Sequence, residues 1–144
     1  MSLRTPLQQH IDSNIILSNP KTKQGLICHR YLNKCGNIYS AKISFIALGE
    51  VMHRILFKLK TEDQDELFRL VREVIKERNI QICTMPNDIK ILEEAIDLGR
   101  DPNDTLILAC AVSDGAHDLV TTDKKLRDLK KFKNTRIVHP KDLP

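Results

Sequence analysis

The sequence predicts an α/β fold, a mainly parallel sheet with helices on both of its faces. Three observations predict it. Strand-like apolar runs alternate with runs of helical period along the whole chain. Helix-boundary residues stand where those runs change, at Ser44, Gly99 and Asp101-Pro102. The length, 144 residues and 16.5 kDa, lets about two-thirds of the chain's surface be buried. That suffices for one ordinary core and excludes a two-domain enzyme with a cleft between its domains.

The elements follow in order. Leu7 to Asp12 reads as a short strand and Thr22 to Asn33 as a helix. Ile38 to Ile43 is a second strand, and a long helix runs from Ser44, its N-cap, to about Lys60. Asp63 to Glu77 is helical because Leu67, Leu70, Val71, Val74 and Ile75 form one apolar stripe. Ile80 to Thr84 is a third strand, and Asn87 to Leu98 a helix stopped by Gly99. Asp101 and Pro102, as cap and first helical residue, open a helix that is apolar on every side from Thr105 to Val112. Asp118 to Thr122 is a fourth strand, Lys124 to Lys131 a helix, and Arg136 to His139 a fifth strand.

Composition narrows the function classes. With 41% hydrophobic and 29% charged residues, five Gly and six Pro, the chain is neither disordered nor collagen-like. No apolar run approaches the ~20 residues that cross a bilayer. The first ten residues hold no stretch apolar enough for a secretory signal, so a cytoplasmic setting is expected. The cysteines at 28, 35, 83 and 110 are then expected as reduced thiols. Cys28, His29 and Cys35 lack the spacing of a zinc knuckle. Cys83 and Cys110, in a strand and an apolar helix, are expected as small buried hydrophobes.

The net charge of +4 hides an asymmetry. From Lys124 to Lys141 there are eight basic residues against one acid, so this segment carries +7 and the rest −3. A basic field beside an acidic body suits a polyanion held while acidic groups act on it. A solvated helix face explains the same charges.

In parallel α/β sheets chemistry sits at the carboxyl ends of the strands, and that rule selects acids. Asp12 ends the first strand and Asp123 the fourth; Asp104 lies in the first turn of the apolar helix, and Glu50 in the helix after the second strand. Each has an ordinary role. Asp12 can cap a helix or make an Asx turn, Asp104 can favour a helix dipole, and Asp123 can cap the helix at Lys124. Projection at 100° per residue gives Leu48, Met52, Ile55, Leu56 and Leu59 as the main apolar stripe. Glu50 falls beside Ile46, His53 and Phe57, so periodicity alone predicts a solvent-facing side chain.

These residues resemble those of a known family. His10-Ile-Asp-Ser-Asn-Ile-Ile-Leu17 is similar to the strand end that opens PIN-domain nucleases. Ser44-Phe-Ile-Ala-Leu-Gly-Glu50 resembles their acid-bearing helix, and Asp101-Pro-Asn-Asp-Thr-Leu-Ile-Leu-Ala-Cys-Ala111 the start of their central helix. Asp118-Leu-Val-Thr-Thr-Asp123-Lys-Lys-Leu126 resembles their strand ending in Thr-x-Asp, and Arg136-Ile-Val-His-Pro140 the closing strand of one branch. The resemblance implies one PIN-like domain over residues 1–144. It also implies a three-layer α/β/α sandwich around a five-stranded sheet of order 3-2-1-4-5.

The implied activity is metal-dependent hydrolysis of phosphodiesters, usually in RNA. Asp12, Glu50, Asp104 and Asp123 would be the catalytic and metal-binding acids, supported by Asn14 and Thr121. Asp101 leaves open which acid of that helix start points at the metal, and the spacing favours Asp104. Four gathered carboxylates repel by about 4 kcal/mol per pair at 4 Å and an effective dielectric near 20. A cation relieves this, and all-oxygen ligands select one or two Mg²⁺ or Mn²⁺ ions. Lys124 and Lys125 are placed to hold substrate phosphates.

Small free-standing members resemble the toxins of toxin–antitoxin pairs, which implies a homodimer and a small antitoxin as partners alongside RNA. A receiver domain is set aside because the third strand, ending Thr84-Met-Pro, carries no acid. A haloacid-type phosphatase is set aside because Asp12-Ser-Asn14 lacks a second acid. The alternative kept is a PIN-like module that binds RNA or protein without cutting.

Overall fold

Short β-branched and polar runs form the centre of the molecule. The computed structural model describes residues 6–58, 60–83, 86 and 88–144. Its strands are β1 (Leu7–Ile11), β2 (Tyr39–Ser44), β3 (Gln81–Cys83), β4 (Asp118–Val120), β5 (Lys131–Phe132) and β6 (Thr135–Val138). Its α-helices are α1 (Ser13–Leu17), α2 (Lys23–Lys34), α3 (Phe45–Lys58), α4 (Thr61–Glu77), α5 (Ile89–Ile96), α6 (Pro102–Ser113) and α7 (Lys124–Arg127). A 3₁₀ turn, Pro140–Asp142, follows β6.

The sheet order is β3-β2-β1-β4-β6-β5, with every pair parallel except β5 with β6. The expected parallel order survives; the count of five does not. The sixth strand arises because α7 stops at Arg127 instead of running to Lys131. The backbone then takes positive φ at Lys130 (61°) and Lys133 (53°). The second of these closes a two-residue hairpin in which Phe132 pairs with Thr135. Leu129 and Phe132, on either side of this break, both pack against the core. The basic segment is therefore spread over a helix, a hairpin and a 3₁₀ turn, not one helix face.

Right-handed crossovers place α1 to α4 on one face of the sheet and α5 to α7 on the other, since the chain reverses direction across the sheet after β3. Ile11, Ile43, Leu119 and Val120 are fully buried between the layers. Gly25 allows the α1–α2 turn to close on α2, because a Cβ there would lie 1.7 Å from the Asn19 carbonyl oxygen. Gly99 takes φ +69° after α5, the left-handed stop its position predicts. That helix starts at Ile89, capped by Asp88; Asn87, Thr84 and Leu59, at the edges of expected elements, lie outside the described residues.

The sequence did not announce α1. It begins directly after β1 because the Asp12 side chain accepts from the Ser13 backbone N–H at 2.7 Å, the capping role open to it. Ser44 caps α3 as expected, accepting from the Ala47 N–H at 3.1 Å. The buried stripe of α3, however, is Ala47, Val51 and Ile55, while Leu56 is half exposed. Small residues face inward because α3 is held between α1, β2 and α6.

Candidate active site

The C-terminal ends of β1 and β4 lie side by side, and the first shared feature there is a carboxylate. Asp12 is 3% exposed. Its Oδ2 accepts from Thr121 Oγ1 at 2.8 Å and from Asn14 Nδ2 at 3.2 Å. Thr121 also accepts the Asp123 backbone N–H at 3.1 Å, and Asn14 Oδ1 accepts the Thr122 N–H at 3.2 Å. One hydroxyl and one amide thus tie two strand ends together, and they orient Asp12 and the Asp123 backbone at once.

Glu50 is not solvent-facing. It is half-buried, with Oε1 accepting from Ser13 Oγ at 3.2 Å and Oε2 from Asn103 Nδ2 at 3.4 Å. The reorientation follows from the buried stripe of α3: once Ala47 and Val51 face inward, Glu50 turns toward α1 and the start of α6. The helical projection failed because it ranked residues by bulk and this contact uses small ones.

At the start of α6 the two acids separate. Asp101 is exposed and caps the helix, its Oδ1 accepting from the Asn103 N–H at 2.9 Å. Asp104 is half-buried, and burial together with the charges of Asp12, Asp123, Asp101 and Glu50 pushes its carboxyl up to about 6. Burial, with the Asp12 and Asp101 charges, also raises Glu50; burial and then Asp123 raise Asp12, opposed by the hydrogen bonds it accepts. The four acids chosen from the sequence are therefore one electrostatic group. Asp123 is half-buried and caps α7 through the Lys125 N–H at 2.9 Å; Lys124 and Lys125 are exposed just beyond it.

Among the described residues, no Lys or Arg forms an ion pair with any of these four carboxylates. An oxygen-only donor set in which Asp12, Glu50 and Asp104 are raised, with no counter-charge paired to it among the described residues, fits a hard divalent cation. Beside Glu50 opens a cleft of about 890 Å³, lined by Ser13, Phe45, His53, Arg54 and Asn103 among others. Ser13 and Asn103 were missed as site residues. The signal existed, since Ser13 follows Asp12 and Asn103 precedes Asp104, but their target on α3 is distant in sequence.

The sequence profile of the PIN domain matches residues 11–132. The chain belongs to the PIN domain family. Solved structures with the same fold include VapBC2 from Rickettsia felis bound to a promoter DNA fragment. It has 18% identity and a TM-score of 0.69, over 92% of this chain and 98% of that one. FitAcB from Neisseria gonorrhoeae matches at 17% identity and a TM-score of 0.66, over 94% and 99% of the two chains. VapBC-5 from Mycobacterium tuberculosis, described as a member of a toxin–antitoxin family, matches at 15% and 0.65, over 93% and 99%. No curated protein sequence matches the chain. In this PIN domain Asp12, Glu50 and Asp123 all act electrostatically on Asp104. No helix among the described residues is long and apolar enough to cross a membrane.

Proposed function

We propose that this PIN domain, residues 1–144, is a cytoplasmic metal-dependent endoribonuclease and the toxin of a toxin–antitoxin pair. The observation that carries the reading is Asp104, whose carboxyl is raised to about 6 by burial and by Asp12, Asp123, Asp101 and Glu50, drawn from four separate stretches of the chain. Asp12, Glu50, Asp104 and Asp123 would hold one or two Mg²⁺ or Mn²⁺ ions. When bound, such ions lower the pKa of a coordinated water and stabilise charge on phosphorus and the leaving oxygen.

The chain's own residues do the rest. Thr121 and Asn14 hold the Asp12 carboxylate in one orientation, so no reorganisation is needed when substrate arrives. Ser13 and Asn103 hold Glu50 at the mouth of the cleft, where its carboxylate accepts or orients a water proton. Lys124 and Lys125 steer phosphates toward Asp123. Arg54, exposed on the cleft wall, offers a bidentate contact to a flanking phosphate.

VapBC-5, one of the solved structures that share the fold, is described as a member of a toxin–antitoxin family, which supports a small antitoxin as partner. A homodimer is part of the same reading, supported by the exposed apolar side chains Phe45, Leu56 and Phe57 on α3. The deciding experiment is a cleavage assay on structured and unstructured RNA with Mg²⁺, Mn²⁺ or EDTA. Cleavage that depends on the divalent ion is expected; binding without cleavage would leave the non-catalytic module.

A further inference from the structure

His10, on β1 two residues before Asp12, reaches Asp114 at the opposite end of α6 from Asp104. His10 is 1% exposed. Its Nε2 lies 2.9 Å from Asp114 Oδ2, and its Nδ1 is buried without a hydrogen-bond partner. Asp114 is the C-cap of α6. Cys83, at the end of edge strand β3, completes a trio: one ligand atom each from His10, Cys83 and Asp114 all lie within 4.8 Å of one another. Cys83 is half-buried and Asp114 exposed, so the trio opens to water on one side. Contrary to expectation, Cys83 is not a buried hydrophobe.

We propose that His10, Cys83 and Asp114 form a second cation site, selective for Zn²⁺ and separate from the acidic centre. Sulfur, imidazole nitrogen and one carboxylate make a borderline-soft donor set, unsuited to Mg²⁺ and suited to zinc. Around tetrahedral zinc the ligand atoms stand roughly 3.3–3.8 Å apart, so His10 Nε2 and Asp114 Oδ2, now 2.9 Å apart, open by a few tenths of an ångström to admit the ion. Water fills the fourth position from the open side. The imidazole donates a lone pair, the Cys83 thiol releases its proton to water, and Asp114 contributes its existing negative charge.

Two further observations favour a cation here. The trio sits at the C-terminal end of the 12-residue α6, the negative end of the helix dipole. An acid at a helix C-terminus is unfavourable by itself, and the molecule already brings a cation to it: Lys42 Nζ lies 3.0 Å from Asp114 Oδ2. Lys42 is the group a metal displaces. Its side chain is 26% exposed, and its flexible stem can swing the ammonium into water.

The test is a Co²⁺ titration of the full chain after EDTA treatment and desalting, read by thiolate-to-cobalt charge-transfer absorption. One equivalent giving that band, displaced by one equivalent of Zn²⁺, is expected. Cys83→Ser abolishes the band and Asp114→Asn weakens Co²⁺ binding at least tenfold, with circular dichroism of both variants unchanged. Cys35→Ser and Asp104→Asn keep it. Absence of the band, its survival in Cys83→Ser, or its loss in Cys35→Ser overturns the site. Because the readout is thiolate coordination, failure here is distinct from failure of the nuclease reading.

Discussion

The Thr121 hydroxyl donates to the Asp12 carboxylate at 2.8 Å while accepting the Asp123 backbone N–H at 3.1 Å. A single side chain just past β4 thus links two candidate metal ligands that follow different strands. Thr121→Val keeps the shape and removes both bonds, leaving a buried carboxylate short of one donor. We expect a loss of about 1–3 kcal/mol in urea denaturation, together with weakened Mn²⁺ binding by calorimetry. Unchanged stability and metal affinity would remove Thr121 from the site.

Asp12→Asn and Asp104→Asn should each abolish Mn²⁺-dependent RNA cleavage while leaving the fold intact. Asn is close to isosteric and retains hydrogen-bonding groups, so only charge and metal affinity change. Gel assays on highly purified protein check this, and persistent cleavage would refute the assignment.

Asp104 also makes a stability prediction. Its carboxyl is raised from 3.8 to about 6 in the folded chain, so the folded state binds the proton more tightly than the unfolded one. Stability from this group is therefore present below about pH 4 and is lost as pH rises through 6. Without metal, Asp104→Asn should be more stable than the parent at pH 7.5, by about 1 kcal/mol after allowing for solvent screening of a half-exposed group. The two should converge at pH 4. Thermal melts in EDTA at both pH values decide it, and an Asn variant less stable at pH 7.5 would contradict the raised carboxyl.

Ser13 and Asn103 hold Glu50 from α1 and α6. Asn103 is exposed, so Asn103→Ala should change stability by less than about 0.5 kcal/mol. It should lower turnover roughly tenfold by freeing the Glu50 carboxylate, a loss of about 1.4 kcal/mol in the transition state. Single-turnover kinetics beside a melt separates the two effects.

Away from the site, Asp118 is fully buried and accepts from Arg136 at 2.8 Å and from Gln9 Nε2 at 2.9 Å. Arg136→Ala leaves that carboxylate with one partner fewer and, among the described residues, no counter-charge at contact distance. A loss of about 2–3 kcal/mol is expected in denaturant titrations, with cleavage otherwise retained below the new melting temperature.

The sequence alone determined the alternation of strands and helices, the caps at Ser44 and Asp101 and the stop at Gly99, and it offered the four acids as candidates. Those signals are local, because a cap or a positive-φ glycine acts on backbone within a few residues of itself. Only the tertiary structure decided that Glu50 turns inward, that Ser13 and Asn103 hold it, that Lys131 and Phe132 form a strand, and that Cys83 stands beside His10. Each of those outcomes except the strand joins residues at least 37 positions apart. The strand forms because Phe132 packs against a core assembled from the whole chain. Packing of small side chains, Ala47 and Val51 above all, chose the rotation of α3. A periodicity that weighs residues by size does not contain that choice.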